Sequence, residues 1–382
     1  MKLRIPYFDY NATTPVDEEV LQAMLPYFSQ SFGNASSYLH SYGKEAAYAV
    51  DAARSAVSNL INCVPEELVF TSGATESINL ALRGLAESYV KKGQHIITAA
   101  TEHKAVLDTC ASLTKKGISS TILSSNSDGS IDLQELEDAI QPSTIAIAIM
   151  YANNETGVLH PVSAISAIAR KHGVLFFCDA TQAAGKIPVD LIRDGIDIMA
   201  FSSHKLYGPK GCGALYVRRK DPRVKLTEQI TGGGHESNRR SGTLNVPGIV
   251  GFGKAAEICI KQLVSDSERT QRLKAKFEEA VCQATGATIN GNPSLRLPNT
   301  SNLCFHLPNG SAFVNDLNKL MAVSSGSACS TAKAEASHVL DAMGLNQSQI
   351  KSSVRFSFGR YSTEEEVLYA IDAIGTTAAQ HR

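Results

Sequence analysis

The sequence lacks the features that mark several classes of protein. None of its eight cysteines lies within a few residues of another, which excludes a CxxC metal knuckle or redox pair. No apolar run approaches the length of a membrane span, and the two cations at the start of the chain have no apolar core behind them. The formal net charge is only -1, so the charge balance does not indicate nucleic acid or an anionic membrane as a partner. We therefore expect a cytoplasmic protein without a metal site that binds a small, nearly neutral ligand.

The pattern of apolar residues along the 382-residue chain indicates an α/β protein with two or three domains. From about Glu67 onward, short apolar runs typical of strands alternate with amphipathic segments typical of helices. The strand-like runs cover 68–70, 95–99, 144–150, 174–178, 198–201 and 214–217, and helix-like segments between them include 77–89 and 162–171. The alternation predicts a mainly parallel sheet covered on both faces, with functional residues just past the strand ends.

The chain divides into an arm and two domains by the same patterns. Thr14 and Pro15 are typical of a helix start, with Thr14 as the cap, so the residues up to that point precede the main body as an arm that joins the smaller domain. The alternating pattern gives way to a long charged helix at 257–284 and then to shorter elements. The predicted units are the arm, the large domain and the small C-terminal domain, at residues 1–14, 15–255 and 256–382.

The segment 201–211 has the strongest chemical character. A strand-like run ends there in hydroxyls, an imidazole and Lys205, and the chain breakers Gly208 and Pro209 follow. A lysine at the end of a buried strand can leave its unperturbed pKa of roughly 10.4 and become a nucleophile toward an aldehyde. The natural aldehyde for a protein lysine is pyridoxal phosphate. A surface lysine in a loop is the alternative, and this segment alone does not decide between them.

Other polar residues follow other strand ends. The run 69–77 turns from strand to helix through small residues, which leaves N–H groups and the Thr75 hydroxyl free for an anion. An ordinary glycine turn capped by Thr75 explains that run equally well. His103 comes just past a strand, where a hydrogen-bonded loop histidine is the common outcome. Asp179 directly follows a buried strand and calls for a cation such as a protonated pyridine nitrogen, unless it caps the next helix.

The order of these residues is what favours a cofactor site. A phosphate turn, an aromatic base, an acid and a lysine occur in sequence at successive strand ends, and the polar turn 153–157 occupies another. A competing motif at 248–255 has the P-loop spacing of glycines and lysine, but Ala255 stands where a Ser or Thr should hold magnesium, and no strand precedes it. We therefore reject nucleotide binding there.

Two features of the predicted small domain also suggest chemistry. Cys329 lies in the run 323–332, whose very small residues offer no apolar neighbours to bury a thiol and are flexible by composition. Cys178 and Cys304 lie in apolar runs and are expected to be buried. Arg355 lies on a strand-like run, and a guanidinium can hold a carboxylate through two hydrogen bonds.

Seven segments together closely resemble the NifS/IscS-type cysteine desulfurases, and the resemblance covers nearly the whole chain. The segments are 9–15 (DYNATTP), 71–76 (TSGATE), 101–104 (TEHK), 179–182 (DATQ), 202–205 (SSHK), 240–243 (RSGT) and 324–329 (SSGSAC). The resemblance implies a fold-type I pyridoxal phosphate enzyme that is a homodimer. Its large domain would contain a mainly parallel, seven-stranded sheet, and its smaller C-terminal domain would be α+β.

The resemblance also implies a role for each site residue. Lys205 would bond to the cofactor aldehyde, His103 would stack on the ring, Asp179 would pair with the pyridine nitrogen and Gln182 would bond the phenolic oxygen. The residues implied to bind the phosphate are Thr75, Ser202, His204 and Thr243, the last from the neighbouring subunit, and Ala74 is a further cofactor-binding residue. Asn154 and Arg355 would take the substrate carboxylate, and Cys329 would accept sulfur.

The function implied by the resemblance is removal of sulfur from L-cysteine, giving alanine and a persulfide on Cys329. The persulfide would pass to a sulfur acceptor or iron–sulfur scaffold protein, for cluster assembly or tRNA thiolation. The alternatives are a selenocysteine lyase or another fold-type I enzyme, such as an aminotransferase, which would not need Cys329, and a non-catalytic sulfur-relay protein. The family motifs have Ser203, Ala35 and Thr156 in place of glycine, proline and isoleucine, and none of these changes removes a catalytic group. The chain stops at Arg382, short of the tail with which housekeeping members dock the scaffold, which counts against that docking mode.

Overall fold

A seven-stranded sheet forms the centre of the larger part of the protein. The computed structural model describes residues 5–325 and 336–382, so Cys329 lies outside the described residues. The strands are β1 Leu68–Thr71, β2 His95–Ala99, β3 Ser119–Leu123, β4 Thr144–Ala148, β5 Leu175–Asp179, β6 Ile198–Ser202 and β7 Gly213–Val217. Their spatial order is β1-β7-β6-β5-β4-β2-β3, and only β7 runs antiparallel to its neighbours. The predicted α/β class with a mainly parallel sheet is confirmed.

Apolar side chains from both faces of this sheet are buried under helices. Phe176 and Phe177 are adjacent in β5 and enter two different apolar clusters because successive strand residues point to opposite faces. The helices of this part are α1 Glu18–Met24, α2 Pro26–Ser29, α3 Ser41–Leu60, α4 Ala74–Ser88, α5 Lys104–Thr114, α6 Leu133–Asp138, α7 Val162–Lys171, α8 Leu191–Asp194, the short turn α9 His235–Asn238 and α10 Val246–Thr285. The carboxyl ends of the parallel strands are therefore the open edge where functional residues collect.

The predicted helix start at Thr14 is wrong. The first helix begins at Glu18, and its cap is Asp17, whose carboxylate accepts a hydrogen bond from Glu19 N. The hydroxyl of Thr14 is used elsewhere, because it donates to His204 O at 3.0 Å and accepts from Tyr207 N at 2.9 Å. Thr14 thus attaches the N-terminal segment to the turn that carries Lys205.

A smaller antiparallel sheet lies in the C-terminal part. Its strands are β8 Thr288–Ile289, β9 Thr300–Cys304, β10 Ser324–Ser325 and β11 Ser353–Ser357, in the order β10-β11-β9-β8, and its helices are α11 Gly310–Leu320, α12 His338–Ala342, α13 Gln347–Lys351 and α14 Glu364–Gln380. The N-terminal segment joins this part. Asp9 forms a β-bridge with Ser357, Tyr7 bridges Ala322, and Phe8 is fully buried in the core beneath the sheet.

Helix α10 connects the two parts. It has 40 residues, so it is about 60 Å long at 1.5 Å per residue. Phe252, near its start, packs in the core of the large sheet, whereas Phe277 packs in the C-terminal core. The helix begins earlier than predicted, and the expected domain boundary at 255/256 falls inside it, so the division into domains remains a prediction.

The glycines of the rejected P-loop motif have a packing role within α10. A Cβ on Gly251 would lie 2.5 Å from the Met24 sulfur, and one on Gly253 would lie 2.6 Å from Ala53 Cα. Glycine at these positions allows α1 and α3 to approach α10 closely.

Three features of the described residues concern membrane spans, metal-binding clusters and buried cysteines. No helix in the ranges 5–325 and 336–382 is both long and apolar enough to cross a bilayer. Within the same ranges, His, Cys, Asp and Glu side chains do not cluster in groups that could hold a metal ion. Cys178 and Cys304 are buried, as predicted.

Candidate active site

A cavity of about 680 Å³ lies at the open edge of the large sheet. It is lined by residues that follow β1, β2, β4, β5 and β6, together with the N-terminal segment and β11. The predicted site residues that line it are Ala74, Thr75, His103, Asn154, Asp179, Gln182, Ser202, His204, Lys205 and Arg355. Thr243 does not line this cavity and is exposed, and Cys329 lies outside the described residues.

Lys205 ends the short 3₁₀ turn Ser203–Lys205 that directly follows β6. Its Nζ donates to Asn11 O at 2.5 Å and to Ala12 O at 2.8 Å, so the N-terminal segment holds the amine in the cavity. Burial, and next the nearby Arg355 guanidinium, lower the pKa of Lys205 to about 8. The amine is therefore much easier to deprotonate than an ordinary lysine and suits nucleophilic attack on an aldehyde.

An anion-binding turn lies at the start of α4. We call residues 72–76 the Gly73 turn. Gly73 has a φ of +155°, and the N–H groups of Ala74 and Thr75 precede the first helical hydrogen bond, which Ser77 N donates to Gly73 O. A Cβ on Gly213, the first residue of β7, would lie 2.5 Å from Gly73 Cα. The close approach of these two backbones leaves the free N–H groups at a helix start accessible to an anion.

Charges and donors around the Gly73 turn also suit an anion. The Glu76 carboxylate accepts from Arg240 Nε at 2.8 Å and from Ser72 N at 2.8 Å, so its charge is compensated. Burial, followed by the charge of Lys205, lowers the pKa of His204 to about 4. His204 is therefore neutral at pH 7, and a neutral imidazole can donate one N–H to an anion.

Asp179 and His103 also line the cavity. Asp179 is 5% exposed, and its Oδ1 accepts from Thr181 N at 2.9 Å. In the described part of the chain it forms no ion pair with a lysine, arginine or histidine, although a buried carboxylate normally needs a cation. His103 caps α5, with Nδ1 accepting from Ala105 N at 3.1 Å, and its ring is exposed. The site thus offers a buried carboxylate that has no direct ion-pair partner among the described residues, although its charge acts on nearby Lys205, and an available aromatic ring.

Arg355 reaches the cavity from β11. Its Nη1 donates to Asn154 O at 3.0 Å, and its Nη2 donates to Ser324 Oγ at 2.9 Å and to Asp9 Oδ1 at 2.5 Å. The Nε of Arg355 and the Oδ1 of Asn154 are buried and have no partner among the described residues. Unpaired buried polar atoms are costly, so their position favours a ligand that completes their hydrogen bonds.

Sequence reasoning missed three polar residues in or beside the site: Asn11, which lines the cavity, and Lys186 and Glu102, which do not line it. Lys186 Nζ donates to Gln182 Oε1 at 2.5 Å and to Asn11 Oδ1 at 2.9 Å. Glu102 is fully buried, and burial, with a smaller effect from the Asp179 charge, raises its pKa well above the ordinary value. Asn11 and Glu102 lie inside two of the segments that resemble the family, and Lys186 lies four residues after Gln182. These positions in the sequence were the signals from which the three residues could have been found.

The donor set fits a cofactor with an aldehyde, a basic ring nitrogen and an anionic group. Lys205 supplies the amine, Asp179 the compensating carboxylate and the Gly73 turn the anion site, all around one cavity. This arrangement on an α/β sheet defines the class of protein. The chain belongs to the aminotransferase class-V family, whose model matches residues 6–369.

Within that family, the chain is similar to a group of sulfur-handling enzymes. It is 50% identical to the cysteine desulfurase IscS of Anaeromyxobacter dehalogenans (strain 2CP-C), over 98% of this chain and 92% of the relative. Among solved structures, a NifS-like protein matches with a TM-score of 0.91 and 37% identity, covering 99% of this chain and all of the other. The structure of SspA in complex with cysteine matches with a TM-score of 0.84 and 37% identity, covering 94% of this chain and 100% of the other.

Proposed function

We propose that the protein is a cysteine desulfurase that depends on pyridoxal phosphate. It removes sulfur from L-cysteine, releases L-alanine and passes the sulfur to an acceptor for iron–sulfur cluster assembly. The similarity to cysteine desulfurases over nearly the whole chain supports this reaction. The observation that carries the proposal is the convergence of a low-pKa amine, a buried carboxylate and a guanidinium with an unpaired N–H in one cavity.

The cofactor would be held along the edge of the sheet. Lys205 would bond to its aldehyde, Asp179 to its pyridine nitrogen and Gln182 to its phenolic oxygen, with His103 against the ring. Its phosphate would bind at the Gly73 turn, through Ala74, Thr75, Ser202, His204 and Thr243 of the neighbouring subunit. When bound, pyridoxal phosphate supplies an electron sink that stabilises negative charge at the substrate Cα. The protein supplies orientation, a proton acceptor and exclusion of water.

The substrate carboxylate would bind at Arg355 and Asn154. The free Nε of Arg355 can donate directly, but Nη2 already donates to Asp9, so a carboxylate held by both atoms must share or displace that contact. Lys205 would accept the proton from the substrate Cα. Its lowered pKa makes this transfer feasible near neutral pH.

Sulfur transfer would require Cys329. Its thiolate would attack the substrate sulfur and form an S–S bond, while the C–S bond breaks and its electron pair remains on the substrate carbon. That carbon takes up a proton and leaves as the methyl group of alanine. A free thiol with a pKa of roughly 8.5 is only slightly ionised at neutral pH, so a proton acceptor such as His103 would assist.

The reaction is tested by incubating the purified protein with L-cysteine and measuring alanine and sulfide in the presence of a thiol reductant. A cysteine desulfurase gives both products in equal amounts. A selenocysteine lyase would give alanine from L-selenocysteine but not from L-cysteine, and an aminotransferase would give 3-mercaptopyruvate, and only with a 2-oxo acid as the amino acceptor. A sulfur-relay protein would give no alanine from either substrate. Any of these last three results would refute the proposal.

We further propose that the protein is a cytoplasmic homodimer. Large apolar side chains are exposed in one stretch of chain around α2 and α3, namely Phe28, Phe32, Tyr38, Leu39, Tyr42 and Tyr48. Exposed apolar surface of this kind is typical of a protein interface. Thr243 is exposed and does not line the cavity of its own chain, which suits a residue that completes the site of a partner. Sedimentation at increasing dilution should then show loss of cofactor together with dissociation, and a fully loaded monomer would contradict this.

A further inference from the structure

Lys186 is a second lysine beside the proposed cofactor site, and the reaction described above does not use it. It lies in the turn after β5, and its Nζ donates to Gln182 Oε1 at 2.5 Å and to Asn11 Oδ1 at 2.9 Å. Burial, followed by the charges of Lys205 and Arg355, lowers the pKa of Lys186 well below its ordinary value. The amine can nevertheless donate to both oxygens whether it is protonated or neutral, and of the two ends of an amide only the oxygen accepts. The contact therefore fixes which end of the Gln182 amide faces Lys186.

The other end of the amide is fixed as a consequence. Gln182 Nε2 donates to Asn11 O at 3.0 Å, and the same carbonyl accepts from Lys205 Nζ. Asn11 is itself held, because its Nδ2 donates to Thr300 Oγ1 at 2.9 Å and its Oδ1 also accepts from Asn299. A rotated Gln182 amide would place its NH₂ against Lys186 and its oxygen against the Asn11 carbonyl. The contact with the Asn11 carbonyl would be repulsive and the hydrogen bond donated by Lys186 would be lost, so the network favours one orientation.

We propose that Lys186 is a positioning residue that turns the amide NH₂ of Gln182 toward the phenolic oxygen of the bound cofactor. This inference rests on the proposed function, since it assumes that pyridoxal phosphate binds with that oxygen near Gln182. Without Lys186, only the Asn11 carbonyl holds the amide, so the amide rotates more readily and then presents its oxygen to the phenolic oxygen, which replaces a hydrogen bond by repulsion. Lys186 acts through Gln182 and does not itself need to touch the cofactor.

A double-mutant cycle on cofactor affinity tests this indirect action. Pyridoxal phosphate is titrated into the apoprotein of the wild type, Lys186→Met, Gln182→Leu and the double variant, and binding is followed by absorbance. Methionine keeps the length of lysine but cannot donate. We expect each single variant to bind roughly tenfold more weakly, as is typical for loss of a hydrogen bond to a charged group. The double variant should be no weaker than Gln182→Leu alone, because the two residues act as one unit.

An analogue without the phenolic hydroxyl provides the matched control. Wild type and Lys186→Met should bind this analogue equally, because the contact under test is absent. Thermal unfolding of each apoprotein identifies a variant that fails to fold. If Lys186→Met fails to fold, Lys186→Gln, which retains a donor, replaces it and should bind pyridoxal phosphate more tightly than Gln182→Leu does. The inference would be overturned if the factors by which the two single variants lose affinity multiply in the double variant. It would also be overturned if Lys186→Met lost as much affinity for the analogue as for pyridoxal phosphate. A wild-type apoprotein that does not bind pyridoxal phosphate would instead overturn the proposed function itself.

Discussion

The pKa of Lys205 predicts how fast the apoprotein captures an aldehyde cofactor at different pH values. With a pKa of about 8, about one-tenth of the Lys205 amine is neutral at pH 7, compared with about 3 parts in 10,000 for an ordinary lysine. Since only the neutral amine attacks an aldehyde, the apoprotein should react about 300 times faster at pH 7 than a lysine of equal intrinsic nucleophilicity. The main cause of the low pKa is burial, and Arg355 adds to it.

The assay is stopped-flow absorbance after mixing apoprotein with pyridoxal phosphate between pH 6 and 10. The rate for N-acetyl-lysine amide in the same buffers, divided by the neutral fraction of that amine at each pH, corrects for titration of the cofactor. The corrected rate should rise about tenfold per pH unit up to about pH 8 and then level off. The Lys205→Ala variant should show no such phase. A corrected rate that keeps rising tenfold per unit from pH 8 to pH 9.5 would refute the reasoning from burial.

Four further outcomes are expected. Cys329→Ala should keep the cofactor absorbance but form almost no alanine or enzyme persulfide, and a persulfide mapped by mass spectrometry to another cysteine would refute the role of Cys329. Arg355→Lys should raise the KM for L-cysteine by roughly one to two orders of magnitude with little change in cofactor affinity, because two parallel hydrogen bonds are lost; an unchanged KM would contradict this. Gly213→Ala should abolish cofactor binding because its Cβ would clash with Gly73, whereas Gly375→Ala, which has open space, should not; equal binding by both would exclude the clash. Glu102→Gln should raise the melting temperature at pH 8 and flatten its decline above about pH 5. Burial raises the pKa of Glu102 in the folded state. The contribution of the protonated carboxyl to stability is therefore complete below the pKa of the unfolded state and is lost as the pH rises through the folded-state pKa. A variant whose melting temperature keeps the wild-type pH dependence would contradict this.

Most of the large sheet could be predicted because its strands are buried on both faces. Such strands are continuous apolar runs, and β4 to β7 were recognised on that basis. Strand β3 was missed since it lies at the sheet edge, where Ser119 and Ile122 are exposed and the run is largely polar. The wrong helix start at Thr14 has a different cause. Capping propensity is local, but the Thr14 hydroxyl is engaged by the distant residues His204 and Tyr207.

The site could be predicted where its residues follow the carboxyl ends of parallel strands. Asp179 ends β5, and Lys205 lies in the short turn that directly follows β6, so their meeting at one edge follows from the topology. Asn11 and Lys186 could not be placed in this way. They meet because the N-terminal segment crosses from the small sheet to the large one, and no periodicity in the sequence encodes that crossing.

The reversed strand β7 has a consequence for the order in which the protein can fold. Within the sheet, β1 pairs only with β7, so the strand that leads into the Gly73 turn has no partner until a much later segment of the chain has been synthesised. Pairing of such distant segments is slow because a long loop must close first. A nascent chain that ends before Gly213 would already contain Asp179 and Lys205 but would lack the backbone contact that shapes the turn. On the proposed function, capture of the cofactor would therefore follow the entry of the last strand into the large sheet, and the loaded state would mark a chain whose large sheet is complete.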